Sequence, residues 1–194
     1  MTEPVCIRAI PTSALLTYWM GESVAEEATV EEHLMECPHC SMRLASLVRL
    51  GQGIRRATRS GNFHGVLSAS FIDTLRKDGL RVREYRLQPN TSVACTVTPE
   101  DDLVVSYLSA PLREVQRLDL VFEDLVAGHA VRMMDVAFDP AAEQVVLAPN
   151  TTALRAFDTG PRRARLIAVQ DGVERELGSY TFDHTRFAGP SFED

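Results

Sequence analysis

The eight residues His33-Leu-Met-Glu-Cys37-Pro-His-Cys40 limit what this chain can fold into more than any other stretch. Residues four apart share a helix face, with Cβ atoms about 6 Å apart. His33 and Cys37 can therefore offer an imidazole and a thiolate to one ion from the end of a helix. The C-x2-C step then returns a second sulfur, Cys40, from the start of the next helix. Pro38 suits that junction, because it cannot continue the hydrogen-bond ladder of the preceding helix. Tetrahedral zinc takes four donors, and Cys6 stands upstream of a first helix that can fold back antiparallel to deliver it. The expected set is Cys6, His33, Cys37 and Cys40, a closed structural site for one zinc ion. His39 is an alternative donor, but its place between the two cysteines should turn it away from their ion.

Punctuation around this motif divides the chain. Up to about residue 80, apolar residues recur at helical spacing. Thr12-Ser13 opens a first helix that stops at Gly21, and Ser23 with Glu26 forms a capping-box signal for a second. A third helix starts after Pro38 and carries Met42, Leu44, Leu47, Val48 and Leu50 before Gly51 and Gly53 weaken it. Gly61–Gly65 reads as a linker, and Ser68–Lys77 as a short fourth helix with Phe71, Ile72 and Leu75 on one side. From Leu80 onward the pattern alternates and is broken by turn residues. Strands are expected at 82–87, Val93–Val97, Leu103–Leu108, Leu118–Phe122, Val131–Phe138, Val145–Leu147, Ala153–Phe157, Leu166–Val169 and Leu177–Phe182. Asp171-Gly172 marks a two-residue hairpin. The expectation is an α+β chain: a helical zinc-clasped bundle at 1–80, then an antiparallel β-sandwich at 81–194. That sandwich is expected to be immunoglobulin-like or Greek key, with a jelly roll as the alternative.

Charge is distributed unevenly. The chain carries a net −7, which argues against a direct nucleic-acid binder that works by neutralising phosphates. Residues 1–40 hold seven acids against Arg8 alone, whereas residues 41–80 hold seven bases against two acids. The basic run Arg49–Arg59 lacks interleaved aromatics and reads as a solvated helix face or a protein-docking surface. No apolar run approaches the roughly 20 residues of a membrane span, and the first residues lack the features of a secretory signal. The expected location is the cytoplasm, where clustered cysteines point to metal or redox chemistry before disulfides.

With these residues in view, the chain resembles the zinc-binding anti-sigma domains that pair with extracytoplasmic-function sigma factors of bacteria. The resemblance covers about residues 4–80 and rests on Cys6, the segment Ala14-Leu-Leu-Thr-Tyr-Trp-Met-Gly-Glu22, an acidic helix, and His33-x3-Cys37-x2-Cys40. Two departures stand out: Cys6 lies about two residues farther from Tyr18 than the family pattern, and Met20 replaces an acid. What the resemblance implies is a non-enzymatic regulator that wraps a sigma factor and keeps it from RNA polymerase. It would contact its partner through Leu15, Leu16 and Trp19 of the first helix and Phe71 and Leu75 of the fourth. Each of these residues serves equally well as core.

The second half offers no matching chemistry. It has no nucleophile elbow and no paired-carboxylate or phosphate-cradling signature; in the first half, Gly51-Gln-Gly53 is no dinucleotide loop. His129 and His184 stand alone in the sequence. Cys95 shares a strand face with Val93 and Val97, which reads as a buried, inert thiol. This half is expected to sense a signal or steady the complex. Two rival readings are an enzyme or small-ligand binder stabilised by a zinc module, and a zinc-clasped adaptor for another regulator.

Overall fold

Helix α1 spans Thr12–Met20 and ends on Gly21, whose φ of 70° lets the chain leave the helix without a Cβ clash. Helices α2 (Glu27–Glu36) and α3 (Pro38–Arg59) follow. The computed structural model describes residues 6, 8–21 and 27–189, so the Ser23–Glu26 capping box lies outside the described residues. The chain forms two compact units, 1–56 and 57–194, dividing near the end of α3.

Helix α3 runs straight through the two glycines expected to weaken it. Gly51 is there for packing. A Cβ at that position would overlap the Trp19 ring at Cη2, so the indole of α1 rests directly on the α3 backbone. The Arg55 guanidinium covers the same ring at 5.6 Å. Two further ties brace the unit. Tyr18 donates to Glu31 at 3.3 Å, and Arg43 donates to the Ile10 carbonyl at 2.8 Å and the Thr12 hydroxyl at 2.7 Å. Leu15 is fully buried.

The second unit begins with β1 (Gly65–Leu67) and α4 (Ala69–Lys77). Ser68 caps α4 by accepting the Phe71 N–H at 3.2 Å, and Phe71, Ile72 and Leu75 are buried. Eight strands follow: β2 (Val82–Leu87), β3 (Thr91–Cys95), β4 (Leu103–Ser109), β5 (Arg117–Asp124), β6 (His129–Met133), β7 (Gln144–Ala148), β8 (Gly160–Gln170) and β9 (Val173–His184), with α5 (Thr151–Ala156) between β7 and β8. They form a four-stranded sheet in the order β1-β7-β4-β2 and a five-stranded sheet in the order β3-β9-β8-β5-β6. Core residues from both, among them Leu108, Leu147, Leu118, Leu120 and Leu166, make one buried cluster, as in a sandwich.

The sheets are mixed, which corrects the expected antiparallel immunoglobulin-like sandwich. β2 pairs with β4 in parallel, and β3 pairs with β9 in parallel. The cause lies in the turn after β2. Only Gln88, Pro89 and Asn90 separate β2 from β3, yet the two strands join different sheets. β2 therefore meets β4 after a crossover through the opposite sheet, and the returning strand runs in the same direction.

Three local expectations are also corrected. The segment 153–157 is largely helical, because the Asn150 side chain accepts the Ala153 N–H at 2.8 Å and starts α5. The strand expected to reach Phe138 stops at Met133. Just beyond, Asp135 adopts a φ of 54° and gives its N–H to the buried Asp119 carboxylate at 3.0 Å. Gly65, read as linker, begins a strand paired with β7. The β8–β9 hairpin is as expected: Asp171 (φ 52°) and Gly172 (φ 78°) both sit at positive φ, as a type I′ turn requires.

The outer face of the five-stranded sheet is a charged lattice. Arg117 and Arg132 flank Asp119, and Arg163 and Arg165 flank Glu123. Their side chains lie on the face that carries Val121, Ile167 and Val169, a small buried cluster of its own.

Candidate metal centre

The end of α2, the start of α3 and the segment before α1 meet at one point. Cys37 occupies the junction between the helices. Its N–H bonds to the His33 carbonyl at 2.8 Å as the last link of α2, and its carbonyl accepts the Ser41 N–H at 3.1 Å as the first link of α3. Pro38 takes the first helical position, where its missing N–H costs nothing. As the N-cap of α3, Cys37 also receives the Cys40 N–H on its sulfur, and this bond contributes most to holding its thiol down to about 7. Cys6 behaves oppositely: burial and the neighbouring Cys37 sulfur push its thiol up.

The four donor atoms of Cys6, His33, Cys37 and Cys40 all lie within 4.8 Å of one another. His33 Nε2 is 3.6 Å from the Cys6 sulfur and 3.3 Å from the Cys40 sulfur. In a tetrahedral site with Zn–S of ~2.3 Å and Zn–N of ~2.0 Å, a sulfur–nitrogen edge is about 3.5 Å. The cluster is thus positioned to hold a metal ion. Its three sulfurs and one imidazole suit a soft or borderline ion over magnesium or calcium, which take oxygen. His39 is outside the cluster, as its place in the motif suggests.

Sequence reasoning missed the residues that aim these ligands. Arg43, on α3, holds the Ile10 carbonyl and the Thr12 hydroxyl, and so fixes to α3 the stretch that leads back to Cys6. The Trp19–Gly51 contact sets how closely α1 approaches α3. An Arg or a glycine alone carries no such signal in one sequence.

The residues implied as partner contacts differ in placement. Leu16 is 39% exposed, Trp19 is half-buried against Gly51, and Leu15, Phe71 and Leu75 are buried. In the second unit, Cys95 and His184 are register partners across β3 and β9, with the sulfur 3.8 Å from Nδ1. Burial pushes the Cys95 thiol up to about 11, so it stays protonated at neutral pH. The two residues line a small cavity of about 30 Å³ together with Val97, Phe122 and Arg162, room for a water or two.

No family model and no curated protein matches the chain. Among solved structures, the N-terminal domain of phage TP901-1 ORF48 aligns with 55% of this chain and 100% of its own, at 10% identity and a TM-score of 0.36, a likeness too slight to build on. No helix among the described residues is long and apolar enough to cross a membrane.

Proposed function

We propose that the chain is a zinc-dependent anti-sigma factor: a regulator that binds an extracytoplasmic-function sigma factor and withholds it from RNA polymerase. The observation that carries this reading is the convergence of Cys6 with His33, Cys37 and Cys40 at the junction of α2 and α3. That is the ligand order of the family the sequence resembles. One zinc ion per chain, held by three sulfurs and one nitrogen, would clasp the three helices without leaving an open coordination position. Such a site is structural, and the function is binding, not catalysis, carried out in the cytoplasm without direct contact with nucleic acid.

On this reading Leu16 and the edge of Trp19 offer a ready contact on α1. Phe71 and Leu75 are buried, so they reach a partner only if α4 is drawn out of its packing. The β unit serves as the sensor or stabiliser.

Copurification tests the proposal. Tagged, zinc-loaded protein is expected to bring down a sigma factor, and in a purified transcription assay to inhibit that sigma factor while sparing the housekeeping one. Transcription that continues unchanged in a large excess of the protein would reject the reading.

A further inference from the structure

The basic charge of α3 is deployed differently from that of the β unit. Ten of the twelve arginines in 81–194 lie within ion-pair distance of a carboxylate. Helix α3 has five arginines and no acid. Arg43, Arg49 and Arg56 have no carboxylate partner among the described residues; Arg43 is spent on the start of α1, and Arg49 holds only the Ser46 hydroxyl, at 2.9 Å.

These cations frame an exposed apolar stripe. His39, Met42, Ser46, Arg49 and Leu50 fall on one face at helical spacing, turned away from the buried Cys40 and Gly51. Met42 is 49% exposed and Leu50 is 62% exposed. Between them the small side chain of Ser46 leaves a dip, part of a groove of about 590 Å³ that Thr12, Ala45 and Leu47 also line. Met42 and Leu50 are eight residues apart, about 12 Å along the axis, which matches apolar residues two turns apart on a second helix.

We infer that this face of α3 docks an acidic amphipathic helix of the partner protein. Apolar side chains of that helix would seat over Ser46 between Met42 and Leu50, and carboxylates along its flanks would reach Arg49 and Arg56. A duplex or single strand fits less well. Two available cations neutralise too few phosphates in a chain of net −7, and no aromatic interrupts the stripe for base stacking.

The inference rests on the anti-sigma reading and is tested with the sigma factor that copurifies with the full, zinc-loaded chain. Affinity is measured at about 50 mM and about 300 mM salt, where screening lengths differ by more than about twofold. Wild-type binding should weaken strongly with salt, and Arg49→Glu with Arg56→Glu should cost about tenfold or more at low salt while flattening that dependence. Met42→Asp should cost a similar factor. All three positions are exposed, so zinc content and helicity are measured on each variant and should match wild type. Arg113→Glu with Arg175→Glu, in the β unit, should change affinity less than about twofold. A sigma factor bound equally well by the Arg49/Arg56 variant overturns the α3 inference and leaves the anti-sigma reading standing. A wild-type chain that binds no sigma factor removes both. If that chain instead binds a DNA duplex of about 20 base pairs through Arg49 and Arg56, the face is a phosphate surface and the inference falls.

Discussion

The two units solve the problem of stability in opposite ways. Residues 57–194 bury a continuous apolar core between two sheets, with Leu118, Leu120 and Leu166 fully inaccessible. Residues 6–56, as far as they are described, bury little: Leu15, Val30 and Cys40 are the apolar or sulfur-bearing side chains buried there. Two short helices and a longer one with so small a core are marginal by themselves. Four convergent donors can supply, through a metal ion, what the first unit lacks in apolar area. On the zinc reading, one unit is a folded object in its own right and the other is conditional on its ligand.

Removing the ion is the most direct way to break this contrast. A strong chelator, or Cys37→Ser, is expected to abolish the order of α1–α3 while the β signature in circular dichroism and the amide protection of β4, β5 and β8 persist. Structural zinc is worth on the order of 10 kcal/mol in small domains, more than a unit of this size holds in reserve. Concerted melting of both units on chelation would refute the division.

Acid should separate the units next. Metal-binding thiolates must stay deprotonated, so on the zinc reading the first unit should release its ion in mildly acidic solution. The β unit should hold on longer. Burial alone would raise the Asp119 carboxyl, but the Asp135 N–H and the Arg132 and Arg117 guanidinium groups hold it below its ordinary value of 3.8. A depressed folded-state pKa contributes stability that is present above the unfolded value and lost as pH falls through the folded one. The β core should therefore survive to below about pH 4, and near-ultraviolet and zinc-release titrations should show two transitions, metal first. A single transition would show that the units are not independent.

The smallest effect sharpens the comparison within the first unit. Gly51→Ala adds helix propensity worth up to about 1 kcal/mol, yet its Cβ would strike the Trp19 ring. The expected net result is a loss of about 1–3 kcal/mol, seen as weaker apparent zinc affinity, and Trp19→Leu should relieve part of it. A stabilised Gly51→Ala protein would show that the indole is free to move.

What is legible in the sequence follows the range of the interactions. Three of the four donors are readable because their spacing is local; Cys6 is not, and needs the fourth place at the metal to single it out. The β8–β9 hairpin is readable because Asp171-Gly172 demands a specific turn. The parallel pairings are hidden, since nothing in Gln88-Pro89-Asn90 announces that the chain is about to change sheets. The segment 153–157 reads as a strand because Ala153, Leu154 and Phe157 are apolar at either spacing, and only the Asn150 cap decides for a helix over Thr151–Ala156. Gly51 reads as a helix breaker because its reason, Trp19, belongs to a different helix.

That same contact makes the protein its own reporter. Trp19 is the only tryptophan among 194 residues, so the indole emission of the intact chain comes from α1 alone, beside the Arg55 guanidinium. Red-shift and quenching of that emission would follow the opening of one helix pair in real time, with no label attached and no indole signal from the β unit to subtract.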